Sequence, residues 1–79
     1  MERLGRGDPN TDTMTLKING ENKDCSNVST VAELLSELGL SAIPVLVEHN
    51  GTALYPREFH TATLTEADQL EIIRVVAGG

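Results

Sequence analysis

The sequence runs out on Val75-Val76-Ala77-Gly78-Gly79, and this is where its residues could do chemistry, because a diglycine end presents a carboxylate that no side chain hinders. Glycine has no Cβ, so such a tail can enter a channel too narrow for other residues. Its α-carboxyl, with a pKa of about 3.5, is ionised at neutral pH and is a poor electrophile. Chemistry at Gly79 therefore requires activation by another molecule. Glycine makes up roughly 7% of average protein composition, so a diglycine at a chosen end arises by chance about once in two hundred sequences.

Other reactive residue types are sparse. His49 and His60 lie eleven positions apart on different segments, with no Cys or acidic cluster at ligand spacing, so no metal site is expected. Cys25 has no histidine near it in sequence, and Lys23 and Asp24 give it mixed charge, which points to a buried structural thiol rather than a nucleophile. Ser, His and Asp all occur, but no Gly-x-Ser-x-Gly elbow does, and a hydrolase reading fails. No residue of the chain is expected to be catalytic.

The 79 residues allow one domain with a small core. Without Trp, and with only Tyr55 and Phe59 as aromatics, Leu, Ile and Val must supply that core. The single cysteine excludes an internal disulfide and fits a reducing, cytoplasmic setting. A net charge of −6 argues against nucleic acid or an anionic membrane as partner; it suits either a basic protein partner or solubility alone. No apolar run approaches a membrane span, and the first residues lack the apolar stretch of a signal peptide.

Several elements must position the tail. Residues 1–13 are polar and turn-forming and are expected to be a disordered extension; Met14 opens the first patterned segment and is a candidate translation start. Leu16 and Ile18 alternate with polar residues, Asn19-Gly20 supplies a two-residue turn, and a polar return strand over 21–26 should turn Cys25 inward. Thr30-Val31-Ala32-Glu33 reads as a capping box, and Val31, Leu34, Leu35 and Leu38 form one apolar stripe ending at Gly39, so a helix is expected over 31–38. Val45 and Val47 restart alternation, Asn50-Gly51 marks a second hairpin, and Pro56-Arg57-Glu58 breaks it. After a polar connection over 61–68 comes the strongest strand signal, 69–76, leading directly into the glycines. The order predicts an α+β domain over 14–77, a mixed sheet of four to five strands with one helix packed across one face, and a flexible diglycine tail at 78–79.

The order and spacing of these pieces resemble the ThiS family of sulfur carriers, small ubiquitin-like β-grasp proteins of thiamine biosynthesis. The resemblance rests on Asn19-Gly20, Thr30-Val31-Ala32-Glu33-Leu34-Leu35, Val45-x-Val47-Glu48-x-Asn50-Gly51, Pro56-Arg57-Glu58, Leu64-x-Glu66-x-Asp68-Gln69-Leu70-Glu71-Ile72 and Ala77-Gly78-Gly79. Two departures are Ala67, where the family usually has glycine, and the 13-residue front extension. The resemblance implies a non-enzymatic co-substrate that binds no cofactor itself. Its Gly79 carboxylate would be adenylated with ATP by an E1-like adenylyltransferase of the ThiF type and converted to a thiocarboxylate with sulfur from a persulfide donor. Thiazole synthase would then receive the sulfur. Carriers for molybdopterin, cysteine or tRNA thiolation share the fold and the diglycine; Arg74-Val75-Val76-Ala77, which lacks the proline molybdopterin carriers tend to have, favours the thiamine branch. A ubiquitin-like interaction module whose tail is never activated is the remaining reading.

Partner contacts are expected near the tail, at Ile73, Val75, Val76 and Arg57, with Ala77 and Gly78 leading to the modified Gly79. If Leu70 and Ile72 face the helix, Ile73 points to the opposite sheet face, either as a partner contact or as a packed or scattered apolar residue. Arg57 either offers its fork to a partner carboxylate or forms a solvated pair with Glu58.

Overall fold

The alternating segments pair as their turns dictate. A computed structural model describes residues 13–76, in which β1 (Thr13–Ile18) and β2 (Glu21–Ser26) form an antiparallel hairpin. The turn residues Asn19 (φ +52°) and Gly20 (φ +85°) supply the left-handed backbone that a two-residue connection needs. Asn50 (φ +51°) and Gly51 (φ +87°) do the same between β3 (Val45–His49) and β4 (Thr52–Leu54). The first strand begins at Thr13, inside the stretch expected to be disordered; Thr13 pairs with Ser26, so the ladder with β2 extends one residue before Met14. The rest of the expected extension, and Ala77, Gly78 and Gly79, lie outside the described residues.

β5 (Gln69–Arg74) completes a five-stranded sheet of order β2-β1-β5-β3-β4, parallel to β1 and antiparallel to β3. The last strand in sequence is thus the central one in space. Its inner face carries Leu70 and Ile72, both buried, and these meet Leu16, Ile18, Val45 and Val47 from neighbouring strands. The helix α1 (Val31–Glu37) packs Val31, Leu34 and Leu35 onto that face. Each fully buried Leu or Val contributes roughly 1.5–3 kcal/mol of transfer free energy, which is how so small a core suffices.

Both helix ends are closed as the sequence indicates. Thr30 Oγ1 accepts from the Glu33 amide at 3.2 Å, and Glu33 Oε1 accepts from the amides of Ser29 and Thr30. At the other end Gly39 (φ +78°) donates to the Ser36 carbonyl while Leu40 donates to Leu35, the pair of bonds that makes a Schellman cap. Leu38 is therefore the cap rather than the last helical residue. The connection over 61–68 is less polar in effect than in composition: Leu64 is buried in the core, and the Leu64 amide bonds the Ser29 carbonyl. Pro56–Glu58 forms a short 3₁₀ turn, its entry held by the Tyr55 amide donating to the Glu58 carboxylate at 2.7 Å.

The start of β5 is clamped by Asp68. Its carboxylate accepts from His49 Nε2 (2.8 Å), Asn50 Nδ2 (3.1 Å), and the amide and hydroxyl of Thr65 (both 2.9 Å). Burial pushes this carboxyl upward, but hydrogen bonds from His49, the Thr65 amide, Asn50 and the Thr65 hydroxyl outweigh it and hold the pKa at about 2, against an ordinary 3.8. Just before it, Ala67 sits at φ +71° with its amide bonded to the Thr15 carbonyl at 2.8 Å, so a residue with a Cβ occupies the position where the resemblance implies glycine.

Two outcomes are expected. Ala67→Gly relieves a left-handed alanine, worth about 1–2 kcal/mol, against the roughly 0.5–1 kcal/mol that glycine loses in backbone freedom, so it should stabilise by about 0.5–1 kcal/mol; an unchanged or lower melting temperature would contradict this. Asp68 is more acidic folded than unfolded, so its contribution is fully present above its ordinary value and lost as pH falls through the folded one. Acid titration of stability should show a loss of about 2 kcal/mol between roughly pH 4 and 2, absent in Asp68→Asn.

Candidate functional site

Period-two alternation decides what surrounds the root of the tail. With Leu70 and Ile72 directed at the helix, Glu71 and Ile73 are on the open face of the sheet, and Ile73 is 57% exposed. Its cross-strand partner in β3 is Leu46, itself 61% exposed because Val45 and Val47 on either side face the core. The β3–β4 register pairs Val47 with Leu54; carried one residue further, it sets Tyr55 opposite Leu46. Ile73, Leu46 and Tyr55 thus form an exposed apolar row across the sheet at the end where β5 finishes. One step along the same face, Glu48 and Glu71 stand directly opposite each other.

Arg57 joins this row through Tyr55. Its guanidinium lies over the Tyr55 ring, 4.5 Å from the centroid, a cation–π contact. The expected alternative of an Arg57–Glu58 pair does not form: the Glu58 carboxylate is turned back to cap the 3₁₀ turn. Beyond Arg74 the chain is pinned once more, by the Val75 amide donating to the Pro44 carbonyl at 3.0 Å. Val75 and Val76 are both exposed, and Val76 is the more so at 78%. The structure therefore brings Ile73, Val75 and Arg57 to one end of the sheet, together with Leu46 and Tyr55, which the sequence reading did not single out. The missed signal was the inward pair Val45 and Val47, which forces Leu46 outward.

The remaining candidates have other duties. His49 is taken up by Asp68, whereas His60 lines a shallow cleft with Ala32, Ser36 and Phe59. Among the described residues no three His, Cys, Asp or Glu side chains are grouped as metal ligands would be. Cys25 is buried at 3% exposure, and burial pushes its thiol pKa up, away from the thiolate a nucleophile needs. A cleft of about 400 Å³ beside the helix, lined by Leu35, Leu40, Ile43, Pro44 and Phe59, contains no titratable group and offers packing only. No helix among the described residues is long and apolar enough to cross a membrane.

With this geometry in place, comparison with known proteins is informative. A sequence model of the ThiS family matches residues 16–79, through the diglycine. The uncharacterized protein ycf40 of Porphyra purpurea is 35% identical over 66 residues, covering 84% of this chain and 93% of the relative. A segment of a thiazole synthase from Paramagnetospirillum magneticum is 36% identical over 66 residues; it covers 84% of this chain but 20% of that protein. Among solved structures, the thiamine biosynthesis protein ThiS of Geobacter metallireducens superposes with a TM-score of 0.70 at 32% identity, covering 84% of this chain and all of the other. That likeness makes the mixed sheet and its single helix a ubiquitin-like β-grasp fold.

The division of faces has a direct test. Ile72→Ala should cost about 2–4 kcal/mol in denaturant unfolding, as a buried deletion does, whereas Ile73→Ala one residue away should cost less than about 1 kcal/mol. Equal losses would mean that Ile73 is packed rather than presented.

Proposed function

The chain belongs to the ThiS family, the sulfur carriers of thiamine biosynthesis, and on that premise we propose that its Gly79 carboxylate is adenylated and then converted to a thiocarboxylate. The observation that carries this reading is that the family match runs through Gly78-Gly79, which come in sequence just after Val75, Val76 and Ala77 beyond the central strand. In the first step a Gly79 carboxylate oxygen attacks the α-phosphorus of ATP and pyrophosphate leaves. This turns an unreactive carboxylate into an acyl group bearing AMP as leaving group. The terminal sulfur of a persulfide then displaces AMP to give an acyl disulfide, and a thiolate attacks the donor's sulfur, so that the S–S bond breaks to free the thiocarboxylate as a new disulfide forms between that thiol and the donor.

The chain itself does none of this catalysis. It is a co-substrate, and the adenylyltransferase of the ThiF type, the persulfide donor and the accepting enzyme supply every catalytic group. What the domain provides is presentation: a rigid strand that ends beside Pro44, with glycines beyond it to enter a narrow active site. The reading that the sulfur goes to thiazole synthase is supported by the Paramagnetospirillum relative, in which a segment like this chain forms a fifth of a protein of that name. Two proteins that must meet repeatedly gain effective concentration when joined in one chain.

The test is an intact-mass measurement after incubation with the cognate adenylyltransferase, ATP and a persulfide source. Wild-type protein should gain the mass difference between sulfur and oxygen at its C-terminus. Deleting Gly79, or adding one residue after it, should abolish the gain without lowering the melting temperature. Full conversion of either variant would refute the role of Gly79.

A further inference from the structure

We propose that Pro44 is a positioning residue for the reaction at Gly79: by lacking a backbone donor it ends the ladder between β3 and β5 on a single bond, and so sets where the tail leaves the sheet. The inference rests on the carrier reading above and adds the device that releases the tail. Val45 pairs with Arg74, so the next position in register sets Pro44 opposite Val75. The Val75 amide donates to the Pro44 carbonyl at 3.0 Å, and at the other end of the same ladder the Asn50 amide donates to the Gln69 carbonyl at 2.7 Å. The two bonds lie an even number of positions apart, so they fall in one phase of the antiparallel alternation. Pro44 and Val75 are therefore a hydrogen-bonded pair, in which each residue ordinarily donates to the other's carbonyl. Pro44 has no N–H, so the return bond to the Val75 carbonyl cannot form. Among the described residues no other backbone amide takes its place.

The other side of β5 does not compensate. β1 pairs with β5 only through Lys17 with Gln69 and Ile18 with Leu70, and beyond them the Asn19 side chain serves Ile72. By the same alternation Arg74 and Val76 turn their backbone groups toward the side that β1 has left. Among the described residues the Val75 amide is thus the last backbone group of β5 held by a neighbouring strand. A donor at position 44 would move that limit past the Val75 carbonyl, fix the ψ angle of Val75 and hold Val76 to the rim of the sheet. The proposed chemistry needs the opposite, because the tail must be detached before its glycines can thread a narrow active site. The fold accepts a proline here because Pro44 stands just before the first residue of β3, where a missing donor interrupts no ladder. Its ring also lines the cleft with Pro56 and Phe59, so the ring and the missing donor must be tested apart.

Two full-length variants separate them: Pro44→Ala, which restores the donor, and a synthetic chain with N-methylalanine at position 44, which lacks both ring and donor. In Pro44→Ala the new amide should exchange with solvent about two- to tenfold more slowly than in an unstructured peptide of the same sequence, the weight of one backbone hydrogen bond. The Val75 carbonyl carbon should shift downfield in the same variant. In adenylation by the cognate enzyme, Pro44→Ala should lower kcat about two- to tenfold with the KM for the carrier unchanged, since the body of the domain is unaltered and the added bond must break before Gly79 reacts. The N-methylalanine chain should keep the wild-type kcat. An unprotected amide at position 44 in Pro44→Ala would show that the ladder does not extend, and equal kcat values in the two variants would trace any effect to the ring; either result overturns the proposal while the carrier reading stands. If an active enzyme fails to adenylate wild type, the carrier reading falls, and the role of Pro44 with it.

Discussion

The structure depends on seating the last segment of the chain as the central strand. β5 must be hydrogen-bonded on both sides, yet its parallel ladder with β1 is only two pairs long, because β1 turns back at Asn19. The side chain of that turn residue takes over: Asn19 Oδ1 accepts from the Ile72 amide at 2.8 Å, and Asn19 Nδ2 donates to the Ile72 carbonyl at 3.1 Å. Asn50 does the like at the other hairpin, accepting from the Gln69 amide with its Oδ1 and donating its own amide to the Gln69 carbonyl. Two turn asparagines thus supply the backbone partners that strands cannot, and unpaired amides in a central strand would each cost on the order of 1–3 kcal/mol.

Once β5 is fixed, period two does the rest. One face is committed to a core of Leu, Ile and Val closed by the helix, and among the described residues no second layer covers the other. A domain this small has no surplus apolar residues, so the large ones it spends on the open face, Leu46, Ile73 and Tyr55, stand out against the polar remainder of that face. They align in one row at the end of β5, the strand after which the chain runs on to the glycines.

Much of this was legible in the sequence because it is local. Both hairpin turns, the capping box, the Gly39 cap, the inward Cys25 and the strand over β5 follow from residue types a few positions apart, and the structure shows each. Ala67, a departure from the glycine usual in the family, proves to sit at φ +71°, a backbone that glycine takes without strain. What could not be read are facts that depend on register between distant strands. The row through Leu46 and Tyr55, the opposition of Glu48 and Glu71, and the double duty of Asn19 each require knowing which residue lies beside which, and no window of sequence contains both partners. Val28 and Leu64 enter the core from connections whose composition is polar, for the same reason. The diglycine lies outside the described residues, and the chemistry proposed for it rests on family membership, since fold alone does not specify a reaction.

The bond from the Val75 amide to the Pro44 carbonyl also acts as the fixed end of a ruler. Five residues, Val75 to Gly79, run from that bonded amide to the Gly79 carboxylate, and an extended chain advances at most about 3.3–3.6 Å per residue, so the carboxylate can lie no more than roughly 18 Å from the anchor. Any enzyme that acts on Gly79 must therefore bring its reacting atoms to within that radius of the rim of the sheet. A deep active site can be served only if the domain itself lodges in its mouth. On the proposed carrier role the body of the protein is a stopper of set length, and the catalytic depth of its enzymes is matched to that reach.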